Sequence, residues 1–186
     1  MAAMLSHTSS SQLVIIDLQT RLLAAMPDNE RTATIKNTRV LLQAAGVLDI
    51  PVLITEQYPK GLGATDPAIA EKLPANARRF EKTGFSCCAA AGFSHALKST
   101  ERREIVVVGQ ETHVCVLQAA FDLIDAGYRV FVVEDGVCSR NISHKRNALE
   151  RMARAGIIAT NVESVLFEWL GDAGHPQFKT LSGLIR

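Results

Sequence analysis

The sequence predicts an α/β domain in which helices cover both faces of a doubly wound, mostly parallel sheet. Three observations predict it. Short runs of β-branched and apolar residues recur without polar alternation, a polar or glycine turn follows each, and a longer stretch with helical periodicity leads to the next. Unalternated runs suit strands buried on both faces, and strand–helix alternation along the whole chain builds crossovers. No break in composition or internal repeat interrupts the rhythm, so a single domain is expected over 1–186, with 1–11 as a flexible, Ser-rich start.

In chain order, the first strand is Leu13-Val14-Ile15-Ile16, ending at Asp17, and the second is Pro51-Val52-Leu53-Ile54, ending at Thr55-Glu56. Ile105-Val106-Val107-Val108 ends at Gly109, Val130-Phe131-Val132-Val133 at Glu134-Asp135, and Gly156-Ile157-Ile158-Ala159 at Thr160. Helices are expected over 30–48, 87–99, 113–126, 141–154 and 162–169. Val40, Leu41, Ala44, Ala45, Val47 and Leu48 form one amphipathic stripe. Gly46, Gly127 and Gly156 stand where helices should end. Between Tyr58 and Ala77, Pro59, Gly61, Gly63, Pro67 and Pro74 break regular structure, which marks either a lid or binding loop or a disordered excursion.

Composition limits the function classes. The chain is 47% hydrophobic, which excludes disorder, and twenty basic against nineteen acidic side chains leave a net charge of +1. That balance supplies no field for phosphate backbones or anionic membranes, so neither nucleic acid nor membrane is an expected partner. No apolar run approaches the length of a membrane span or a signal peptide. Cys87, Cys88, Cys115 and Cys138 repeat no CxxC pattern, and free thiols fit a reducing compartment; a cytoplasmic protein is expected.

In an open α/β sheet the ligand lies beyond the carboxyl ends of the strands. This singles out Asp17 and Gln19, Glu56 and Gln57, the segment 109–115, and Asp135 with Cys138. Lys82 joins them if Phe80-Glu81-Lys82-Thr83 is extended and runs alongside. Cys115 opens a helix just after a strand, where the partial positive charge and unpaired amides of a helix N-terminus lower a thiol pKa and can bind an oxyanion. From position alone it is equally an inert residue packed beside Val114, Val116 and Leu117. Asp17 is either an N-cap or a carboxylate general base. Lys82 is either a surface charge or, beside Asp17 and Cys115, the cation that holds both anions.

The strand-terminal Asp17, the mid-chain Lys82 and the run Gly109-Gln110-Glu111-Thr112-His113-Val114-Cys115-Val116, in that order from Leu13 to Val165, resemble the isochorismatase-like cysteine hydrolases. Thr55-Glu56-Gln57-Tyr58-Pro59-Lys60-Gly61-Leu62-Gly63 resembles the isochorismatase-domain-containing subgroup. The resemblance implies a three-layer α/β/α fold with a six-stranded, mostly parallel sheet and a triad of Asp17, Lys82 and Cys115. It further implies that Asp17 takes the thiol proton, Lys82 stabilises the thiolate, and Cys115 attacks a carbonyl to form an acyl-enzyme. A cis peptide at Gln110–Glu111 and an oxyanion hole from the amides of Glu111 and Cys115 belong to the same implication. Gln19, Glu56, Gln57, Tyr58, Phe85 and His113 become candidate substrate contacts, and a homo-oligomer is expected.

The departures narrow the activity. Metal-binding members carry an Asp-x-His pattern after the second strand, where this chain has Thr55-Glu56-Gln57-Tyr58, and its five histidines have no ligand-like spacing. No metal and no cofactor are therefore expected. Members acting on isochorismate typically lack the cysteine. Its presence favours hydrolysis of a small amide or ureido compound, with ether hydrolysis without covalent catalysis, or a catalytically silent binding protein, as the alternatives.

Overall fold

The computed structural model describes residues 5–185. Among them six strands form one sheet: β1 (Ser11–Ile16), β2 (Val52–Gln57), β3 (Arg78–Lys82), β4 (Glu104–Gln110), β5 (Arg129–Cys138) and β6 (Ile158–Thr160). Every pairing is parallel, in the order β3-β2-β1-β4-β5-β6. The six strands match the expected sheet, and β3 overlaps the segment Phe80-Glu81-Lys82-Thr83, which is extended through Lys82.

Side-chain alternation along the central strands divides the core in two. Leu13, Ile15, Ile54, Val106 and Val108 face one layer, which is closed by α2 (Asp28–Val47), α8 (Val162–Leu170) and Leu181 of α9 (Phe178–Ser182). Val14, Ile16, Leu53, Ile105 and Val107 face the other, closed by α5 (Phe93–Lys98), α6 (Leu117–Asp125) and α7 (Ile142–Arg154). The short helices α1 (Thr20–Leu23), α3 (Pro59–Leu62) and α4 (Pro67–Ala70) lie in the connections.

Several expectations are corrected. The helix expected over 87–99 is a 3-10 turn at Cys87–Ala89 followed by α5, because Gly92 takes a left-handed φ of 79° between them. The one over 113–126 begins as a π turn at Thr112–Val116 before α6. Gly46 lies inside α2, which runs on to Val47 and ends through Leu48. The 58–77 segment is ordered into α3 and α4. Over 1–11, the expected flexibility does not hold for residues 6–11: the Ser6 amide and hydroxyl donate to Glu168 at 2.8 and 2.9 Å, the His7 amide donates to Glu104 at 2.7 Å, and Ser11 starts β1. Residues 1–4 lie outside the described residues.

The chain moves outward from β1 to β2 and β3, then crosses to the other side of β1 to lay down β4, β5 and β6. β1 and β4 therefore flank the point where the winding reverses, and a crevice forms beyond their carboxyl ends. The two strands approach closely there through Gly109, paired in register with Ile16. Gly109 has φ +135°, and a β-carbon on it would lie 2.2 Å from the Ile16 carbonyl oxygen. Gly109→Ala is expected to destabilise the domain by about 3 kcal/mol or more, read as a loss of denaturation midpoint; an unchanged midpoint would contradict this account.

Candidate active site

Asp17 follows β1 with a left-handed φ of 54° and is fully buried. Its two carboxylate oxygens have separate donors: the Thr55 hydroxyl at 2.7 Å and the Lys82 ammonium at 2.7 Å. Lys82 comes from the end of β3, and its side chain is wholly sequestered. The ammonium also donates to Gln57 Oε1 at 2.6 Å, the Phe85 carbonyl at 2.8 Å and the Gly84 carbonyl at 3.3 Å. A buried charge pair is sustained only when its remaining polar valences are satisfied, and here they are.

Cys115 sits in the π turn just beyond β4, buried, and its thiol feels both charges. Burial and the Asp17 carboxylate push its pKa up to about 12, against the lowering influence of Lys82. The low thiol pKa expected from a helix N-terminus is thus corrected: dehydration and a neighbouring anion outweigh the turn dipole. The thiol is protonated at neutral pH, with a carboxylate beside it. Among the other cysteines, Cys138 is raised to about 11 by burial and Cys87 is raised by burial, whereas Cys88 is lowered by a hydrogen bond from Cys87. Position, rather than acidity, distinguishes Cys115.

Before the turn, the Gln110–Glu111 peptide is cis. The Glu111 carbonyl accepts from the Val114 and Val116 amides at 3.0 and 3.2 Å, which wraps the turn around Cys115. Burial would raise the Glu111 carboxyl, but the Arg140 amide and guanidinium bonded to it hold it below its usual range. His113 bonds Ser139 at 3.0 Å and packs on His144 with ring centroids 4.8 Å apart; burial lowers its pKa. It stays a residue of the same turn as Cys115.

The other candidate substrate contacts mostly serve the scaffold. Gln19 is buried and its amide clamps backbone, donating to the Gln57 and Gly63 carbonyls and accepting from the Gln57 amide. The Gln57 side chain is occupied by Lys82 and the Thr83 carbonyl. Glu56 lies elsewhere than expected, because strand alternation turns Thr55 and Gln57 toward Asp17 and Lys82 and Glu56 to the opposite face. There it accepts from the Thr65 amide and hydroxyl at 2.7 and 2.6 Å, with Arg79 at 3.5 Å. Tyr58 and Phe85 are each about half exposed beside the Lys82 backbone and ammonium partners respectively. Asp135, expected among the strand-end residues of the site, instead accepts from the Val162 amide at the start of α8. Since Glu56 ties down the 58–66 loop, Glu56→Ala is expected to speed tryptic cleavage at Lys60 several-fold, read by timed mass spectrometry; unchanged cleavage would argue against that tie.

Two contributors are not among the candidate catalytic or substrate-contact side chains, although Gln110 falls within the strand-end segment 109–115. Thr55 holds Asp17, a position legible in principle from the period of two that places it on the same strand face as Gln57. Gln110, fully buried, donates through Nε2 to the Asp17 carbonyl at 2.9 Å and accepts from the Cys138 thiol at 3.6 Å. Its strand-end position is legible in sequence but its partners are not, because one follows β1 and the other ends β5.

Known proteins resemble this chain in sequence and in fold. Isochorismatase domain-containing protein 1 of Salmo salar is 43% identical over 147 residues, covering 78% of this chain and 51% of that protein, so the chain spans about half of that relative's length. The secreted isochorismatase effector Isc1 of Phytophthora sojae is 39% identical over 155 residues, covering 82% of this chain and 74% of that protein. The MAR1 ribonuclease structure from Caenorhabditis elegans superposes with a TM-score of 0.91 at 38% identity, over 97% of this chain and 91% of that one. With the isochorismatase domain model matching residues 11–164 as well, the chain belongs to the isochorismatase domain family.

Proposed function

We propose that the chain hydrolyses a small amide or ureido compound through a cysteine nucleophile, without a metal or other cofactor. One observation carries the reading: a buried Asp17–Lys82 ion pair lies against the thiol of Cys115 where the sheet winding reverses. Asp17 accepts the thiol proton as the sulfur attacks the substrate carbonyl carbon. Proton transfer at the moment of attack suits a thiol whose resting pKa is about 12, since no thiolate need persist beside the carboxylate. Lys82, ion-paired to Asp17, balances the charge on sulfur. The backbone amides of Glu111 and Cys115 bind the oxyanion. Collapse of the tetrahedral intermediate breaks the C–N bond, and the amine leaves with the proton held by Asp17. Water then gives a proton to Asp17 and attacks the thioester, releasing the acid and the Cys115 thiol. In this reading His113, Tyr58 and Phe85 are the side chains assigned to meet substrate.

The test is a panel of small amides and ureides assayed for amine or ammonia release, with intact-protein mass spectrometry for an acyl adduct on Cys115. The nematode protein's name makes phosphodiester cleavage the second reading, so an RNA substrate belongs in the same assay. Turnover with an adduct supports the proposal. RNA cleavage, or ether hydrolysis unaffected by loss of Cys115, would replace it, and no turnover of any class would leave the silent binding protein.

A further inference from the structure

β3 is the last strand on its side of the sheet and, among the described residues, pairs with β2 alone. The Lys82 carbonyl accepts from the Tyr58 amide, so residue 82 turns its backbone groups toward β2. By the strand period of two, Phe80 does the same, and the N–H and C=O groups of Arg79 and Glu81 point outward from the sheet edge. Both residues are exposed. An open edge is a template for another strand, and proteins commonly blunt it with charged side chains, Lys above all. Here the charges are of both signs and evenly spaced about Phe80.

We propose that β3 pairs antiparallel with β3 of a second copy of this chain, across a two-fold axis through Phe80. In that register residue 79 of each copy lies opposite residue 81 of the other. Those are the residues whose backbone groups face outward, so each of the two pairs closes two backbone hydrogen bonds. The same register sets Arg79 of one copy beside Glu81 of the other, twice, on one face of the continuous sheet. An isologous contact needs a self-complementary patch, and the run Arg79-Phe80-Glu81 is one. On the other face Arg78 is stacked over the Phe80 ring at 5.7 Å. It would meet no free cation, because the Lys82 ammonium is turned inward to Asp17, Gln57 and the Phe85 carbonyl. Tyr58, Pro59 and Lys60 form a groove with Glu81, Thr83 and Ala89 along the same edge, so the second copy also approaches the end of the strand that carries Lys82. The proposal is independent of the reaction assigned to the triad.

Sedimentation velocity across a concentration series tests it. The wild-type chain is expected to associate, and Glu81→Arg, which replaces two opposite-charge pairs with two like-charge pairs, to raise the dissociation constant at least about tenfold. Glu81→Pro, which removes an outward N–H, is expected to do the same. Arg79→Glu should weaken self-association too, yet mixing it with Glu81→Arg should restore association, since every cross-strand pair is then of opposite sign. Melting curves accompany each variant because Arg79 also lies 3.5 Å from Glu56; if Arg79→Glu fails to fold, the two Glu81 variants decide. A monomeric wild-type chain, including one whose edge binds only an extended peptide, overturns the proposal. So does an oligomer that Glu81→Arg and Glu81→Pro leave unchanged.

Discussion

Replacing Cys115 by Ala is expected to lower amide turnover by roughly 10⁴-fold or more with the fold retained, because a missing nucleophile has no substitute in the site. The side chain is small and the loss of one sulfur costs on the order of 1 kcal/mol, so circular dichroism and melting should stay close to wild type. Retained turnover would transfer the chemistry to water activated by Asp17. The companion variant Asp17→Asn separates proton transfer from thiol acidity. The carboxylate is one of the causes that raise the Cys115 pKa to about 12, since two adjacent anions repel. Removing its charge moves the pKa down, so alkylation of Cys115 should begin at lower pH than in the wild type, while turnover falls by about 10²-fold or more through loss of the base. More thiolate with less catalysis is the signature of Asp17 as proton acceptor; alkylation shifted to higher pH would contradict it.

Lys82→Met is expected to be the most destabilising of the triad substitutions, by about 3–5 kcal/mol. It leaves the Asp17 carboxylate buried with only the Thr55 hydroxyl and removes the donor that satisfies Gln57, Gly84 and Phe85. For a chain of this size that corresponds to a melting temperature lower by on the order of 10 °C, measured by calorimetry. Combining it with Asp17→Asn removes the unpaired charge, so the double variant should regain part of the loss. Additive destabilisation in the double variant would show that the two groups are not energetically coupled. Lys82 also lowers the thiol pKa, so alkylation of Cys115 in Lys82→Met should need higher pH than in the wild type, opposite to Asp17→Asn.

The strands β1, β2, β4 and β5 are legible in the sequence because burial on both faces demands apolar residues at every position, and such runs stand out. β3 is not, since Arg78-Arg79-Phe80-Glu81-Lys82 is an edge strand with solvent on one flank, and polar residues are free to occupy it. The break at Gly92 and the π turn before α6 are equally hidden. Each depends on a backbone conformation set by packing against the strand ends, which periodicity over a window does not register.

For the site, strand position brings forward a set of strand-end residues that includes Asp17 and Cys115, because chemistry in a doubly wound sheet collects there, and the resemblance to the isochorismatase-like cysteine hydrolases adds Lys82 and selects the three together. Sequence also determined the covered sheet, the near-neutral charge balance and the absence of an Asp-x-His pattern. Only the tertiary structure decided which polar residues face Asp17 and Lys82. Thr55 and Gln57 do so and Glu56 does not, through one residue of strand alternation, and Gln110 reaches Asp17 only because β4 lies beside β1. It likewise decided the state of the Cys115 thiol. Whether a thiol is acidic depends on the water removed and the charges placed around it, and in Cys115 burial and Asp17 outweigh the turn that the sequence placed beneath it.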